Sequence, residues 1–199
     1  MTRVVDAGAI LAGWVGVGMA LTVGVSFLLV IPIEPVYWYL AIPGGLLIGY
    51  YANQRSDRRA GPWSRILANA LFAGLVTALT WAVLLLAVKG IFFVADDGYR
   101  DVSQGGSLEC AGGADCVYAR YLAEGRGDDL EAAGVTDVDS FTAFYWGQQL
   151  QTAGLLVVFV MGGSLGGGLL YGVLRPKPGH GVSAGADPAP GGTPVDPAG

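Results

Sequence analysis

Long apolar runs separated by short polar stretches dominate the pattern along this chain. Three of the runs, residues 7–31, 66–88 and 152–174, are long enough to cross a bilayer, which takes roughly 20 residues of helix. A fourth, residues 36–51, reaches only about 24 Å as a helix, but tyrosines and a tryptophan at its ends are typical of interfacial anchors. The pattern predicts an all-α membrane protein, a bundle of four transmembrane helices.

The first apolar run is interpreted as a retained helix and not as a cleaved signal peptide. It is longer than the apolar core of a signal peptide, which has about 7 to 15 residues, and only Arg3 precedes it. Pro32 and Pro35 bracket a short turn directly after it. The first two spans should therefore form an antiparallel hairpin.

The distribution of basic residues predicts the orientation. With 14% charged residues in a chain that is 53% hydrophobic, each basic cluster is conspicuous. Loops rich in Lys and Arg stay in the cytoplasm. Four spans would bring all the basic flanks to one side, so we expect both termini to be cytoplasmic. These flanking residues are Arg3, Arg55, Arg58, Arg59, Arg65, Arg175 and Lys177.

The opposite side receives a long acidic segment, residues 96–139. We interpret its acidity as solvation of an exposed loop, with recruitment of cations as the alternative. It contains the only two cysteines, Cys110 and Cys116, and the Gly- and Ala-rich residues between them allow ring closure outside the cytoplasm. A redox-active pair is usually Cys-x-x-Cys, and zinc would need more ligands than two thiols, while the only histidine, His180, is in the tail. We therefore predict a structural disulfide, no metal and no cofactor.

The same pattern divides the chain into four parts. Residues 1–95 hold three spans and the basic cytoplasmic loop 53–65, with Ser64 as a helix N-cap. The extracytoplasmic segment 96–139 has short helical pieces at 115–123 and 128–133. Residues 140–175 form the last span with an extension above the bilayer, N-capped at Asp139-Ser140. The Pro-, Gly- and Ala-rich tail, residues 176–199, is predicted to be disordered.

Small residues recur every four positions in the predicted spans, a spacing that lets helices approach closely in lipid. We assign them to packing within the bundle, with a dimer interface as the alternative. The richest run, in the last span, has enough glycine to serve two neighbouring helices or to allow a bend. The predicted packing residues are Gly16, Ala20, Gly24, Gly74, Gly162, Gly163, Gly166 and Gly167.

Three positions carry the only hints of a functional site inside the membrane. Pro43-Gly44-Gly45 interrupts the second span at its middle, and interrupted helices line substrate sites in transporters. Lys89 is interpreted as reaching the headgroups, with an ion pair to Glu34 or to an acidic loop residue, or a buried functional lysine, as alternatives. Asn69 completes the set. A transport role would gain support if all three faced one polar cavity, and it would fail if they faced lipid, headgroups or solvent separately.

No recognised catalytic pattern occurs in the chain, which has neither a positioned His or Cys base nor an acidic residue within a span. We therefore expect a non-enzymatic structural or protein-interaction component, with an accessory subunit of a transporter or channel as the alternative. Its partners would be the lipid bilayer and another membrane protein or itself, but no nucleic acid. Arg far outnumbers Lys in a Gly- and Ala-rich chain, which favours a bacterial cell membrane.

Overall fold

The computed structural model describes residues 5–26, 34–56, 61–95, 110 and 112–175, except for the side chains of residues 34–37. Helices dominate this part of the chain, and no strand occurs in it. The predicted turn between the first two spans, residues 96–109 of the acidic segment and the tail after residue 175 lie outside it. The helices are α1 (Ala7–Gly24), α2 (Glu34–Gln54), α3 (Trp63–Ala95), α4 (Ala114–Ala123), α5 (Gly127–Ala132) and α6 (Val138–Leu174).

Three helices, α1, α3 and α6, are long and apolar enough to cross a membrane. At 33 and 37 residues, α3 and α6 are about 50 and 55 Å long, which exceeds a hydrocarbon core of about 30 Å. In a bilayer of that thickness, helices of this length would project beyond the hydrocarbon core. The 21-residue α2 is about 31 Å long because it extends past both ends of the apolar run that predicted it.

The bundle consists of two pairs of helices. The two helices within each pair are parallel, and the two pairs run in opposite directions. Asp6 contacts Asn69 near the starts of α1 and α3, and Gly16 meets Thr77 further along both. In the other pair, Trp38 of α2 lies against Phe159 of α6, and three turns later Tyr50 lies against Tyr171. α1 and α6 each pack against both α2 and α3, which also contact each other.

Small side chains fill the interior of the bundle, while large apolar ones cover its outside. Alanines at positions such as 20, 41 and 78 are fully buried around Trp81, whereas Trp14 on α1 is 71% exposed. Helices that are apolar all round, with small residues at their contacts, are what a lipid environment selects. The distribution of residue size therefore agrees with a membrane-embedded bundle.

The second span is not interrupted at Pro43, contrary to the sequence-based expectation. α2 runs as one helix through Pro43, whose ring is on the exposed side of the helix. A proline removes one backbone hydrogen bond, and its ring clashes with the carbonyl one turn earlier. The other turns of α2 keep their hydrogen bonds, and packing of the buried face stabilises the helix.

A second, smaller unit caps one end of the bundle. We call residues 112–147, together with Cys110, the helical cap; it comprises α4, α5 and the first part of α6. Glycines with positive φ, Gly125 and Gly134, form the turns after α4 and α5. Both short helices begin one residue before their predicted starts.

The last helix begins earlier than predicted because its N-cap is Asp137 and not Asp139-Ser140. The Asp137 carboxylate accepts a hydrogen bond from the Ser140 backbone N–H, and the Ser140 hydroxyl oxygen accepts one from the Asp137 N–H. This is a reciprocal capping box, with serine in the usual place of glutamate. Ser64 is likewise inside the first turn of α3, because that helix begins at Trp63.

Candidate functional site: the helical cap and the arginine end

The helical cap has its own apolar core above the bundle. Phe141 is completely buried, with the rings of Tyr118 and Tyr121 at centroid distances of 5.1 and 5.0 Å. Phe93, from the end of α3, stacks at 4.7 Å on Tyr145. Aromatic contacts of this kind stabilise beyond the area that they bury. The cap is thus a packed unit fixed to the projecting ends of α3 and α6, with Val117, Leu130 and Val135 completing its core.

The predicted disulfide between Cys110 and Cys116 is confirmed, with a Cα–Cα distance of 5.5 Å. It joins the residues before α4 to the first turn of that helix. Cys116 is only 3% exposed, whereas Cys110 is half-buried. One turn along α4, the Arg120 guanidinium donates to the Cys116 sulfur across 3.6 Å.

The surface of the cap is acidic. Its arginines are only partly exposed, and one of them, Arg126, lies 4.1 Å from the centroid of the Tyr121 ring and 3.9 Å from the Asp129 carboxylate. Exposed acidic residues keep such a unit in water and out of the bilayer. Every acidic residue of the described cap is exposed: Asp115, Glu124, Asp128, Asp129, Glu131, Asp137 and Asp139.

The capping box also sets the charge state at the start of α6. Hydrogen bonds from the Ser140 backbone N–H and the Ser140 hydroxyl lower the pKa of Asp137 below its ordinary value of 3.8. The carboxylate is therefore ionised throughout the neutral range, next to the positive end of the helix dipole.

The opposite end of the bundle carries a polar network that the sequence analysis did not identify. We call it the arginine end, since Arg55, Arg65 and Arg175 lie there. The Asp6 carboxylate accepts hydrogen bonds from the Ser56 hydroxyl at 2.5 Å and the Asn69 amide at 3.3 Å. Arg65 is 3.9 Å away from it.

A second amide links this network to the backbone. The Asn53 side chain donates to the carbonyls of Gly49 and Ile66 and accepts from Asn69 at 3.4 Å. Both asparagines are 1% exposed. Because buried polar groups are costly unless they are paired, the network fixes the ends of α1, α2 and α3 in one arrangement. The signal in the sequence was a set of polar residues at or near the ends of three apolar runs, but nothing in the sequence paired them.

Most of the predicted packing residues lie at helix contacts. Gly16, Ala20, Gly24 and Gly74 are buried, and a Cβ on Gly16 would be 2.9 Å from the Thr77 Cβ. Gly163 and Gly167 lie so close to α2 that a Cβ on either would meet backbone atoms, such as the Leu46 N at 3.1 Å from position 163.

Gly162 and Gly166 lie on the outward side of α6, where an added Cβ would have no neighbour within 4 Å. They differ from the packing glycines by a single position, which on a helix is a rotation of about 100°. The glycine run of α6 contacts two neighbouring helices, which is one of the two alternatives predicted from the sequence. Gly163 and Gly167 face α2, while Gly168 and Gly172 face α3.

The matching small residues on α2 are Gly45 and Gly49, of which the second was missed. A Cβ on Gly45 would be 3.0 Å from the Ser164 N, and one on Gly49 would be 2.8 Å from the Ser164 Cα. α2 and α6 thus pack as parallel helices with a Gly-x-x-x-Gly pair on each. Gly44 instead faces Met19 of α1. The four-residue spacing of Gly45 and Gly49 was the available signal.

The three residues proposed for an intramembrane site do not come together. Asn69 belongs to the arginine end, and Lys89 is twenty residues further along α3, about 30 Å away. Pro43 is exposed on α2, and the Glu34 side chain, a suggested partner of Lys89, lies outside the described part. A crevice between α1, α3 and α6 is lined by apolar side chains: Ala20, Val23, Gly24, Trp81, Leu84, Leu85 and Leu156. The condition set for a transport role is not met.

Within the described ranges, no group of three or more His, Cys, Asp or Glu side chains is placed to hold a metal ion. Comparison with protein-family models, with curated proteins and with solved structures finds no match to this chain. The function must therefore be argued from the cap, the bundle and the arginine end.

Proposed function

We propose that this chain is a four-span protein of a bacterial cell membrane and that it is a non-enzymatic structural or protein-interaction component whose helical cap binds a partner outside the cytoplasm. The observation that carries the proposal is the cap itself, a packed and disulfide-tied unit at the ends of α3 and α6, both of which are longer than a hydrocarbon core. A rigid element raised on long helices suits recognition of another molecule, since its ordering cost is met before binding.

The charge distribution supports the orientation. Arg55, Arg65 and Arg175 cluster at the end opposite the cap, and basic residues flanking spans favour the cytoplasmic side. A disulfide in the cap suits an oxidising compartment on the other side.

The proposal takes α2 as the fourth span. Its length of about 31 Å matches a hydrocarbon core, and its contacts extend from Phe159 down to the network at Asn53 and Asn69. An even number of spans also keeps residues 5–6 and 175 on one side.

Orientation is tested by reacting intact cells with a membrane-impermeant maleimide. The background is Cys110→Ser/Cys116→Ser, with a single cysteine added at an exposed position of the cap, Glu131, or of the arginine end, Gln54. We expect labelling only at position 131 until the cells are opened. Labelling of position 54 in intact cells would overturn the orientation.

The interaction role is tested by placing a photo-crosslinking amino acid at exposed cap positions, Glu124 and Glu131, in the native host. Lipid-facing Leu47 and Val173 are the matched controls. We expect one protein, or a second copy of this chain, to be crosslinked from the cap and not from the controls. The crosslink should be lost on Asp→Lys reversal of the neighbouring Asp128 and Asp129. Capture of a permease or ATPase from the lipid-facing sites alone would favour the transporter-subunit alternative and contradict the cap proposal.

A further inference from the structure

We infer that the Cys110–Cys116 disulfide is a reversible exchange site for a dithiol, in which Cys110 is attacked and Cys116 leaves as a stabilised thiolate. Spacing alone favoured a purely structural bond. The contacts of the two sulfurs differ, however, and that difference gives the bond a direction.

The two cysteines differ in how accessible they are. Cys110 is half-buried and lies before α4, so it is the more accessible of the two cysteines. Cys116 is 3% exposed and is buried within the cap, next to buried Val117. Thiol–disulfide exchange requires an approach to the attacked sulfur, so access selects Cys110.

The charges around the two sulfurs differ as well. The Arg120 guanidinium lies 3.6 Å from the Cys116 sulfur, one helical turn away. Cys116 is also the third residue of the ten-residue α4, where backbone N–H groups lack helical partners and the dipole is positive. Both features stabilise a thiolate at Cys116, and a better leaving thiolate makes the bond easier to reduce. Asp115, which is exposed beside it, opposes them in part.

The exchange proceeds in two balanced steps. A dithiol thiolate attacks the Cys110 sulfur and forms a mixed disulfide, while the Cys110–Cys116 bond breaks and its electron pair remains on Cys116. The second thiolate of the dithiol then attacks the dithiol sulfur that is bonded to Cys110. This step closes the oxidised dithiol and releases the Cys110 thiolate, which takes a proton from water. The dithiol loses two electrons and the protein disulfide gains them. Reduction frees the first turn of α4 from residue 110.

The inference is tested on the full chain in mild detergent, equilibrated in buffers of reduced and oxidised dithiothreitol, acid-quenched and mass-tagged at free thiols. We expect Arg120→Met to need a reduced-to-oxidised ratio about tenfold higher than the wild type for half reduction, which is about 30 mV for a two-electron couple. Arg120→Lys keeps the charge and should remain within about threefold of the wild type. Arg126→Met removes the other described arginine of the cap and should leave the ratio unchanged.

A variant that should shift the ratio in the opposite direction distinguishes a charge effect from misfolding of the Arg120 variants. Asp115→Asn removes the opposing charge and should make the bond about threefold easier to reduce. A shift in Arg120→Met that Arg126→Met reproduces, or no shift in either Arg120→Met or Asp115→Asn, would refute the stabilised leaving group.

The direction of attack is tested separately with glutathione. Brief reaction of the oxidised protein, acid quenching and alkylation should give glutathione on Cys110 and the alkyl group on Cys116, as mapped by peptide mass spectrometry. Glutathione found mainly on Cys116, or equally on both, would refute the assignment.

Discussion

Substituting Gly167 by alanine should weaken the contact between α2 and α6 without changing the other properties of α6. The added Cβ would overlap the Leu46 carbonyl oxygen and lie 2.8 Å from the Tyr50 N. Both are backbone atoms of α2 and cannot rotate away, so α2 itself must move. Gly166→Ala is the matched control, because it adds the same methyl group one residue earlier, where nothing lies within 4 Å.

The magnitude follows from two opposing contributions. Replacing glycine by alanine inside a helix gains up to about 1 kcal/mol from helix propensity, and this gain is common to both variants. Only Gly167→Ala adds the cost of overpacking, which is about 1 to 3 kcal/mol when the neighbours cannot repack. The two variants should therefore differ in unfolding free energy by about 2 kcal/mol, or about thirtyfold in the ratio of folded to unfolded protein.

The assay is unfolding in mixed micelles, in which sodium dodecyl sulfate replaces mild detergent and tryptophan fluorescence reports the transition. Gly167→Ala should unfold at a lower mole fraction of dodecyl sulfate than the wild type, and Gly166→Ala at an equal or higher one. If the two variants unfold together, then α2 and α6 do not approach through these glycines, and the parallel Gly-x-x-x-Gly contact is wrong.

The arginine end and the start of α6 give two further predictions. Asn69→Ala removes a 1% exposed amide that accepts a hydrogen bond from the Asp6 N–H and donates to the Asp6 carboxylate and the Asn53 side-chain oxygen, so the same assay should show a loss of about 2 kcal/mol. Thr80→Val, whose lost hydroxyl bonds only locally to the Val76 carbonyl, should change little. At Asp137 the folded-state pKa is below the unfolded value of 3.8, so its stabilisation is full above that pH and is lost as the pH falls through the folded pKa. Asp137→Ala should therefore lower cap stability at neutral pH, with a difference from wild type that shrinks as the pH falls below 3.8, as followed by near-UV circular dichroism; a difference that does not shrink in acid would contradict this reasoning.

Helices and their ends follow largely from the sequence, because each depends on residues near one another in the chain. Long apolar runs gave the three membrane-spanning candidates α1, α3 and α6, and the disulfide followed from short spacing and few alternatives. The N-cap of α6 was predicted two residues too late, at Asp139 and not at Asp137. In the capping box found there, serine occupies the position where glutamate is the familiar signal.

Contacts between helices were not predictable in the same way. A four-residue spacing marks a small face but does not say which neighbour it meets, so Gly162 was grouped with Gly163 although only the latter touches α2. Asn69 drew attention as an isolated polar residue near a span, yet its partners Asp6 and Asn53 are distant in sequence. Such pairings depend on how whole helices are placed, which no local pattern contains.

The parallel pairing of α2 with α6 has a consequence for biosynthesis. The residues that meet, such as Leu46 and Gly167, are about 120 positions apart, and a ribosome adds about 5 to 20 residues per second. α2 therefore leaves the ribosome on the order of 10 s before its most extensive partner exists. During that interval, α1 and then α3 are the long apolar helices available to cover its glycine face. A nascent chain stalled before residue 138 should for this reason expose Gly45 and Gly49 to insertion factors, lipid or a second copy of the chain.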